Sequence, residues 1–313
     1  MSAMLNYVLT DVFTAQAFGG NPLAVFLDPG DLPTAAMQLI ARELNLSETT
    51  FVFPPPPGED GYTVRIFTPL SELPFAGHPT VGTALVLDAV SGNPQDPKSD
   101  YTLLLHEQVG PVPVRITRDD DGRAQATLTS PRLPEFIGRI GDARTLAALL
   151  GLGDADVVDS GAVRPACFSA GVPFAFIPLR DREALSRARL DGTRWQSLLA
   201  DSIAPHVYAM TMQDWQEGLT IDARMFAPAL GIPEDPATGV AAVALGGYLA
   251  TVQRMAATRH FAITQGADMG RPSRLNLTVE VQNGQPSRVE VGGSAVIIGR
   301  GALDRDLLLR AAA

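Results

Sequence analysis

Two short stretches of this chain set an ionisable residue and a proline among small residues: Ala76-Gly77-His78-Pro79-Thr80 and Asp235-Pro236-Ala237-Thr238-Gly239. Proline is comfortable in a first helical turn, where its missing N–H has no helical partner. The remaining N–H groups of such a turn, with the helix dipole, favour an anion by roughly 0.3–2 kcal/mol. Gly77 and Gly239 let a ligand approach the backbone closely. A third polar element, Asn45-Leu46-Ser47-Glu48-Thr49, puts Glu48 against the apolar run Phe51–Phe53. A carboxylate at an apolar edge is a stronger base than one in water. Together these residues suit proton transfer on a small anion, with helix starts stabilising the developing charge and no lysine required. Each also has a plainer reading: Glu48 as a surface or capping glutamate, His78 as a structural or surface histidine, and Asp235 as an N-cap, a role compatible with touching substrate. Glu72 and Glu234 are neighbouring alternatives that spacing alone does not dismiss.

The elements that must position them follow from hydrophobic period and turn signals. Strands are predicted at Tyr7–Phe13 and Pro22–Leu27, joined through Phe18-Gly19-Gly20-Asn21-Pro22. A helix is predicted over Leu32–Leu44, capped by Asp31. Strands follow at Phe51–Phe53 and Tyr62–Phe67, then an all-round apolar helix at Pro79–Val90. Ser91–Asp100 reads as a break, Tyr101–Leu105 and Val112–Thr117 as strands, and Asp119–Gly122 as a turn. Pro131–Gly141 is the expected linker, giving lobes at 1–130 and 131–293. The second lobe begins with a helix at Ala143–Leu150 and strands near Val157–Val163 and Phe174–Ile177. A buried helix follows Pro236, and two late strands span Ser287–Ile298, split at Gly292-Gly293.

An internal repeat ties the lobes together. Arg65-Ile66-Phe67-Thr68-Pro69 recurs as Arg224-Met225-Phe226-Ala227-Pro228 at an offset of 159, and Gly82-Thr83-Ala84 matches Gly239-Val240-Ala241 at 157. Each copy runs from a strand through a loop into a small-residue helix. The repeat predicts two related lobes whose loops, 72–80 and 232–238, face a common cleft.

Composition narrows the function. The net charge is -10 and Lys98 is the sole lysine, so a nucleic-acid partner is not expected. No apolar run approaches the roughly 18 residues of a membrane span, and Met1–Phe13 lacks a basic n-region. The lone Cys167 fits a reducing, cytoplasmic compartment and reads as a buried, inert thiol. The four histidines, His78, His106, His206 and His260, show no metal-binding spacing, so no metal is expected. Neither a complete dinucleotide-binding glycine pattern nor a phosphate loop is present, and no cofactor is expected.

Several segments resemble the PhzF family, the phenazine biosynthesis-like isomerases related in fold to diaminopimelate epimerase. They are Phe18–Val25, Asn45–Thr49, Arg65–Pro69, Glu72–Ala84, Glu234–Gly239, Gln265-Gly266, Met269–Ser273 and Val291–Gly293, in family order along nearly the whole chain. The resemblance implies an α/β (α+β) fold of two pseudo-symmetric lobes, each a mixed barrel-like sheet around a central helix. It also implies that a last strand, within 294–306, returns to the first lobe, and that the protein is a homodimer. By the same resemblance Glu48 is the acid/base of a cofactor-free proton shift. His78 and Asp235 line the substrate, and Asn21, Ser47, Gly77, Pro79, Thr238, Gly239 and Val240 fall in the pocket segments. Val240 departs from the serine common in the family and makes that corner apolar.

The expected function is therefore a cofactor-independent isomerase performing a 1,3-type proton shift on a small anionic or carboxylate-bearing metabolite. Two readings stand beside it: an epimerase or racemase using Glu48 and Asp235 as opposed bases, and a non-catalytic metabolite-binding protein on the same scaffold.

Overall fold

Strand β1 (Met4–Val12) buries its second, fifth and last three residues, and it pairs antiparallel with β2 (Asn21–Leu27). The computed structural model describes residues 4–91, 100–119 and 121–312. Helix α1 (Thr34–Leu44) turns Ala36, Met37, Ile40 and Ala41 inward and leads to β3 (Glu48–Phe53), which lies parallel to β2. Asn45 ends α1 in the left-handed conformation, with its N–H bonded to Ala41 O. Asp31 does not cap α1 as expected: Pro33 holds the cap position, and Asp31 pairs with Arg305 near the end of the chain.

Strand β4 (Tyr62–Phe67) is antiparallel to β3, and the short β5 (Glu72–Leu73) folds back on β4. Helix α2 (Gly77–Ser91) is buried at every residue from Gly77 to Asp88. Such a helix has no solvent stripe and must be enclosed. Strands β6 (Tyr101–Glu107), β7 (Gly110–Arg118) and β8 (Ala124–Thr129) complete the wrap, β6 parallel to β4 and the rest antiparallel. Arg118 donates two hydrogen bonds to buried Asp88 and Tyr101 Oη donates a third, fixing the far end of α2. Residues 92–99 of the expected break, Lys98 among them, and Asp120 of the expected turn lie outside the described residues.

The stretch expected as a linker carries strand β9 (Glu135–Gly138), paired with β10 (Ala166–Ser169) after helix α3 (Ala143–Leu149). Val157–Val163 is not the strand its valines suggested. It makes two isolated bridges, one to Leu179 and one internal. Strand β11 (Pro173–Pro178), helices α4 (Arg182–Arg187) and α5 (Gly192–Leu198), and strand β12 (His206–Thr211) form a parallel crossover. Strand β13 (Thr220–Ala227) is antiparallel to β12, and β14 (Ile232–Asp235) folds back on it. Helix α6 (Gly239–Val252), buried except at Val240 and Thr251, packs against β9, β10, β11 and β16. Strand β15 (Arg259–Gln265) lies parallel to β13, and β16 (Ser273–Gln282) is antiparallel to β15.

Strand β17 (Gln285–Gly293) runs through the glycines expected to split it, so the break falls at Ser294. Strand β18 (Ala295–Asp304) then pairs antiparallel with β1, and α7 (Arg305–Ala312) packs on α1. Residues 4–131 with 292–312 form one compact unit, and 132–291 form another. The core of the first stacks Phe26 on Phe51 beneath α1. The second packs Trp195, Ile177, Leu179 and Phe226 around α3 and α4.

The two units share one plan: antiparallel, parallel, antiparallel, fold-back, parallel, antiparallel. The repeated arginines carry matching partners. Arg65 makes a bidentate pair with Glu72 at 2.7 and 2.6 Å, and Arg224 makes one with Glu234 at 2.8 and 2.8 Å. Each guanidinium also lies 5.2 Å from the ring two residues on, Phe67 or Phe226.

Candidate active site

In the first unit, four of the expected residues converge. Asn21 opens β2, Glu48 opens β3, and Gly77 and His78 open α2. All four are buried. The parallel register pairs Glu48 with Leu23, which brings the starts of β2 and β3 level beside the helix start. Gly20, just before Asn21, has a φ of +63°, and a Cβ there would lie 2.3 Å from Val12 O, so only glycine lets the chain enter β2 this close to the end of β1. Pro79 is in the first turn of α2, as its missing N–H predicts. Ser47 precedes Glu48 and is half-buried.

His78 links the cluster. Asn21 Nδ2 lies 3.2 Å from His78 Nδ1, and His78 Nε2 lies 3.3 Å from Glu48 Oε2. Burial pushes the His78 imidazole down to about 3, so it is neutral at physiological pH. The Glu48 contact is thus a long polar contact of a neutral ring rather than an ion pair. An amide nitrogen can only donate, so with Asn21 in this orientation His78 Nδ1 accepts. The single ring proton then sits on Nε2, on the side of the Glu48 carboxylate.

In the second unit Asp235, Thr238 and Gln265 form a network. Thr238 Oγ1 donates to Asp235 Oδ2 at 2.5 Å, and Gln265 Nε2 donates to Asp235 O at 2.7 Å and to Thr238 Oγ1 at 3.0 Å. Tyr208 Oη donates to Gln265 Oε1 at 3.2 Å. Asp235 is not the N-cap of α6, and Pro236 is not in its first turn. Thr238 holds the cap position and Gly239 is the first helical residue. The loop needs this extra length because Asp235 ends β14 and is tied to β13. Gly239 is buried and Val240, the second residue of α6, is half-buried.

The two alternative carboxylates are engaged elsewhere. The Arg65 hydrogen bonds hold the Glu72 carboxyl below the usual range, and Glu234 is clamped by Arg224. Cys167 is buried and its thiol is pushed up to about 11 by desolvation, so it is a poor nucleophile. Gln265 carries no site role in the sequence reading. Its sequence signal is its place with Gly266 among the family-like segments; Gly266 itself has a φ of +75°, and a Cβ built on it would lie 2.7 Å from Pro236 O, so glycine is required there. Among the described residues, no helix is long and apolar enough to cross a membrane.

A family model described as phenazine biosynthesis-like protein matches residues 10–301. An uncharacterized isomerase of Mesorhizobium japonicum is 40% identical over 304 residues, covering 95% of this chain and 98% of that protein. The trans-2,3-dihydro-3-hydroxyanthranilate isomerase of Pseudomonas fluorescens is 37% identical, covering 96% and 99%. A PhzF-family protein of Bacillus anthracis superposes with a TM-score of 0.83 at 24% identity, covering 97% and 99% of the two chains.

Proposed function

This chain belongs to the phenazine biosynthesis-like PhzF family and is an isomerase, and from that premise we propose that Glu48 carries a proton between two carbons of a small carboxylate-bearing metabolite. The observation that carries this reading is the buried Glu48 carboxylate held 3.3 Å from an imidazole that burial keeps neutral. A neutral ring with its proton on Nε2 faces the carboxylate at 3.3 Å without cancelling its charge. Glu48 takes the proton from a carbon beside an unsaturated or carboxyl-bearing centre, and the electron pair delocalises. The same carboxyl, its acid proton exchanging with solvent while the anion is bound, then delivers a proton at the far end of the delocalised system. One carboxylate suffices for such a 1,3-shift and it needs neither metal nor organic cofactor, whereas inversion of a stereocentre calls for a second base on the opposite face.

In this proposal Asp235, with Asn21, Ser47, Gly77, Pro79, Thr238, Gly239 and Val240, binds and orients the substrate. The apolar Val240 favours a substrate with no polar group at that corner. A homodimer in the cytoplasm completes the proposal, the first from the family resemblance and the second from the single reduced thiol.

The test is solvent deuterium incorporation across a panel of small unsaturated carboxylates. It includes trans-2,3-dihydro-3-hydroxyanthranilate, the compound named for the Pseudomonas fluorescens relative. The wild-type protein should place deuterium at one carbon of a turned-over compound, and Glu48→Gln should slow this by about 10²–10⁴-fold. Exchange in Glu48→Gln at the wild-type rate removes Glu48 as the base. Inversion that disappears in both Glu48→Gln and Asp235→Asn replaces the shift with two-base epimerisation.

A further inference from the structure

The strand registers place Glu107 and Gln265 at one position of the shared plan. Arg65 of β4 corresponds to Arg224 of β13, so Tyr62 and Thr63 correspond to Ile221 and Asp222. These pair with Leu105 and His106 of β6 in one unit, and with Ile263 and Thr264 of β15 in the other. The next residue is Glu107 in the first case and Gln265 in the second, each closing its strand. By the same repeat His78 corresponds to Asp235 at an offset of 157.

Gln265 acts as a donor: its Nε2 holds Thr238 Oγ1, and the Thr238 hydroxyl proton goes on to Asp235. Glu107 likewise meets a threonine at its own unit's helix start, Thr80, although the 157 offset sets Thr80 opposite Ala237 rather than Thr238. Glu107 Oε1 lies 2.6 Å from Thr80 Oγ1, which lies 2.6 Å from the Ala76 carbonyl oxygen. A threonine hydroxyl has one proton, and two oxygens at 2.6 Å with no proton between them repel each other. The Ala76 carbonyl can only accept, so the Thr80 proton lies there. The proton between Thr80 and Glu107 must come from Glu107.

We infer that Glu107 is a neutral carboxylic acid that donates to Thr80 and is thereby the positioning residue for His78, as Gln265 is for Asp235. Thr80 in the first turn of α2 and Ala76 just before the helix bracket His78, so the donated hydrogen bond fixes the turn that holds the imidazole beside Glu48. Burial agrees with the geometry, pushing the Glu107 carboxyl up to about 8. The ionisable groups on the elements packed around it are His78 and Asp88 of α2, Tyr101 and His106 of β6, Arg115 and Arg118 of β7, Tyr62 and Arg65 of β4 and Glu72 of β5. Arg118 is paired with Asp88 and Arg65 with Glu72, while His106 meets Asp60 O and Glu59. No cation is therefore left on these elements to stabilise an ionised Glu107, apart from Arg115, whose position on β7 alternates with the buried Val114 and Ile116.

Only the catalytic consequence rests on the proposed function; the proton itself is read without turnover. The infrared difference between wild type and Glu107→Gln should show the carbonyl stretch of a protonated acid, fading as pH rises with a midpoint near 8. In protein labelled with 15N-histidine, the His78 ring signals, assigned by their loss in His78→Gln, should move with that midpoint in wild type. Glu107→Gln installs the side chain found at Gln265. It should fold, keep the neutral-pH His78 signals and lose their alkaline movement, whereas Glu107→Ala should displace them at every pH. Absence of the acid band, or His78 signals unmoved through that range in wild type, overturns the inference. If band and movement appear while Glu48→Gln still exchanges deuterium, the positioning role stands and the proposed reaction falls.

Discussion

Asn21 Nδ2 stands 3.2 Å from His78 Nδ1, two buried atoms 57 positions apart in sequence, and this contact decides which ring nitrogen keeps the proton. Asn21→Asp offers only acceptors there, so it should draw the ring proton to Nδ1 and turn a bare Nε2 toward Glu48. Two-bond 15N–1H spectra of the imidazole should show the tautomer exchanged. Asn21→Leu leaves Nδ1 buried without a donor and should destabilise the fold by about 1–3 kcal/mol in urea unfolding. An unchanged tautomer in Asn21→Asp would contradict the assignment.

His78 and Glu107 give stability opposite pH slopes. The folded His78 value, about 3, lies below the unfolded 6.5, so the unfolded chain binds more protons between them and stability falls as pH drops from 6.5 towards 3. The folded Glu107 value, about 8, lies above the unfolded 4.5, so its contribution is complete below 4.5 and is lost as pH rises to 8. Each slope is bounded by about 1.4 kcal/mol per pH unit. Relative to wild type, Glu107→Gln should gain stability steadily from pH 4.5 to 8 and then level off. His78→Gln should gain as pH falls below 6.5. Denaturant midpoints across pH for the three proteins measure both, and parallel curves would refute both assignments.

The repeated arginine clamps differ in burial. The Arg224 side chain is 4% exposed against 27% for Arg65, and Arg224 also donates to the carbonyls of Leu185, Ser186 and Ala188. Arg224→Leu leaves Glu234 and the carbonyls without their cation and should cost about 3–5 kcal/mol. Arg65→Leu, with water within reach of Glu72, should cost about 1 kcal/mol. Equal losses in thermal or urea unfolding would show that burial does not govern the clamps.

How much of this was legible in the sequence depended on whether the signal was local. Tyr62–Phe67 alternates and sits between turn residues, so its strand was readable to the residue, and the all-round apolar 79–90 announced an enclosed helix. The arginine-led repeat exposed the common plan because both copies need the same clamp and ring. Val157–Val163 misled because β-branched residues signal a strand only when a neighbour supplies a ladder. Asp31 misled because its partner, Arg305, is 274 positions away. Glu48, His78 and Asp235 stood out through their local settings, with glycine and proline around the last two. Glu107 and Gln265 did not, since a residue at a strand end acquires a role only once folding brings a buried threonine to it.

Gly266 is the backbone counterpart of that dependence on Gln265. At a φ of +75°, a Cβ on it would lie 2.5 Å from Arg271 O and 2.7 Å from Pro236 O, so the loop after Asp235 passes too close for any side chain. Gly284 has nearly the same φ, +76°, with nothing within 4 Å. Gly284→Ala should therefore report left-handed strain alone, on the order of 1 kcal/mol. Gly266→Ala adds a clash with two backbone oxygens that neither loop can relieve without moving. It should cost at least about 2 kcal/mol more than Gly284→Ala. It should also displace the Asp235–Thr238 contact, raising KM more than Gly284→Ala does for whichever compound turns over. Equal destabilisation in urea unfolding would show that the loop yields freely, and Gln265 would then not hold Asp235 in place.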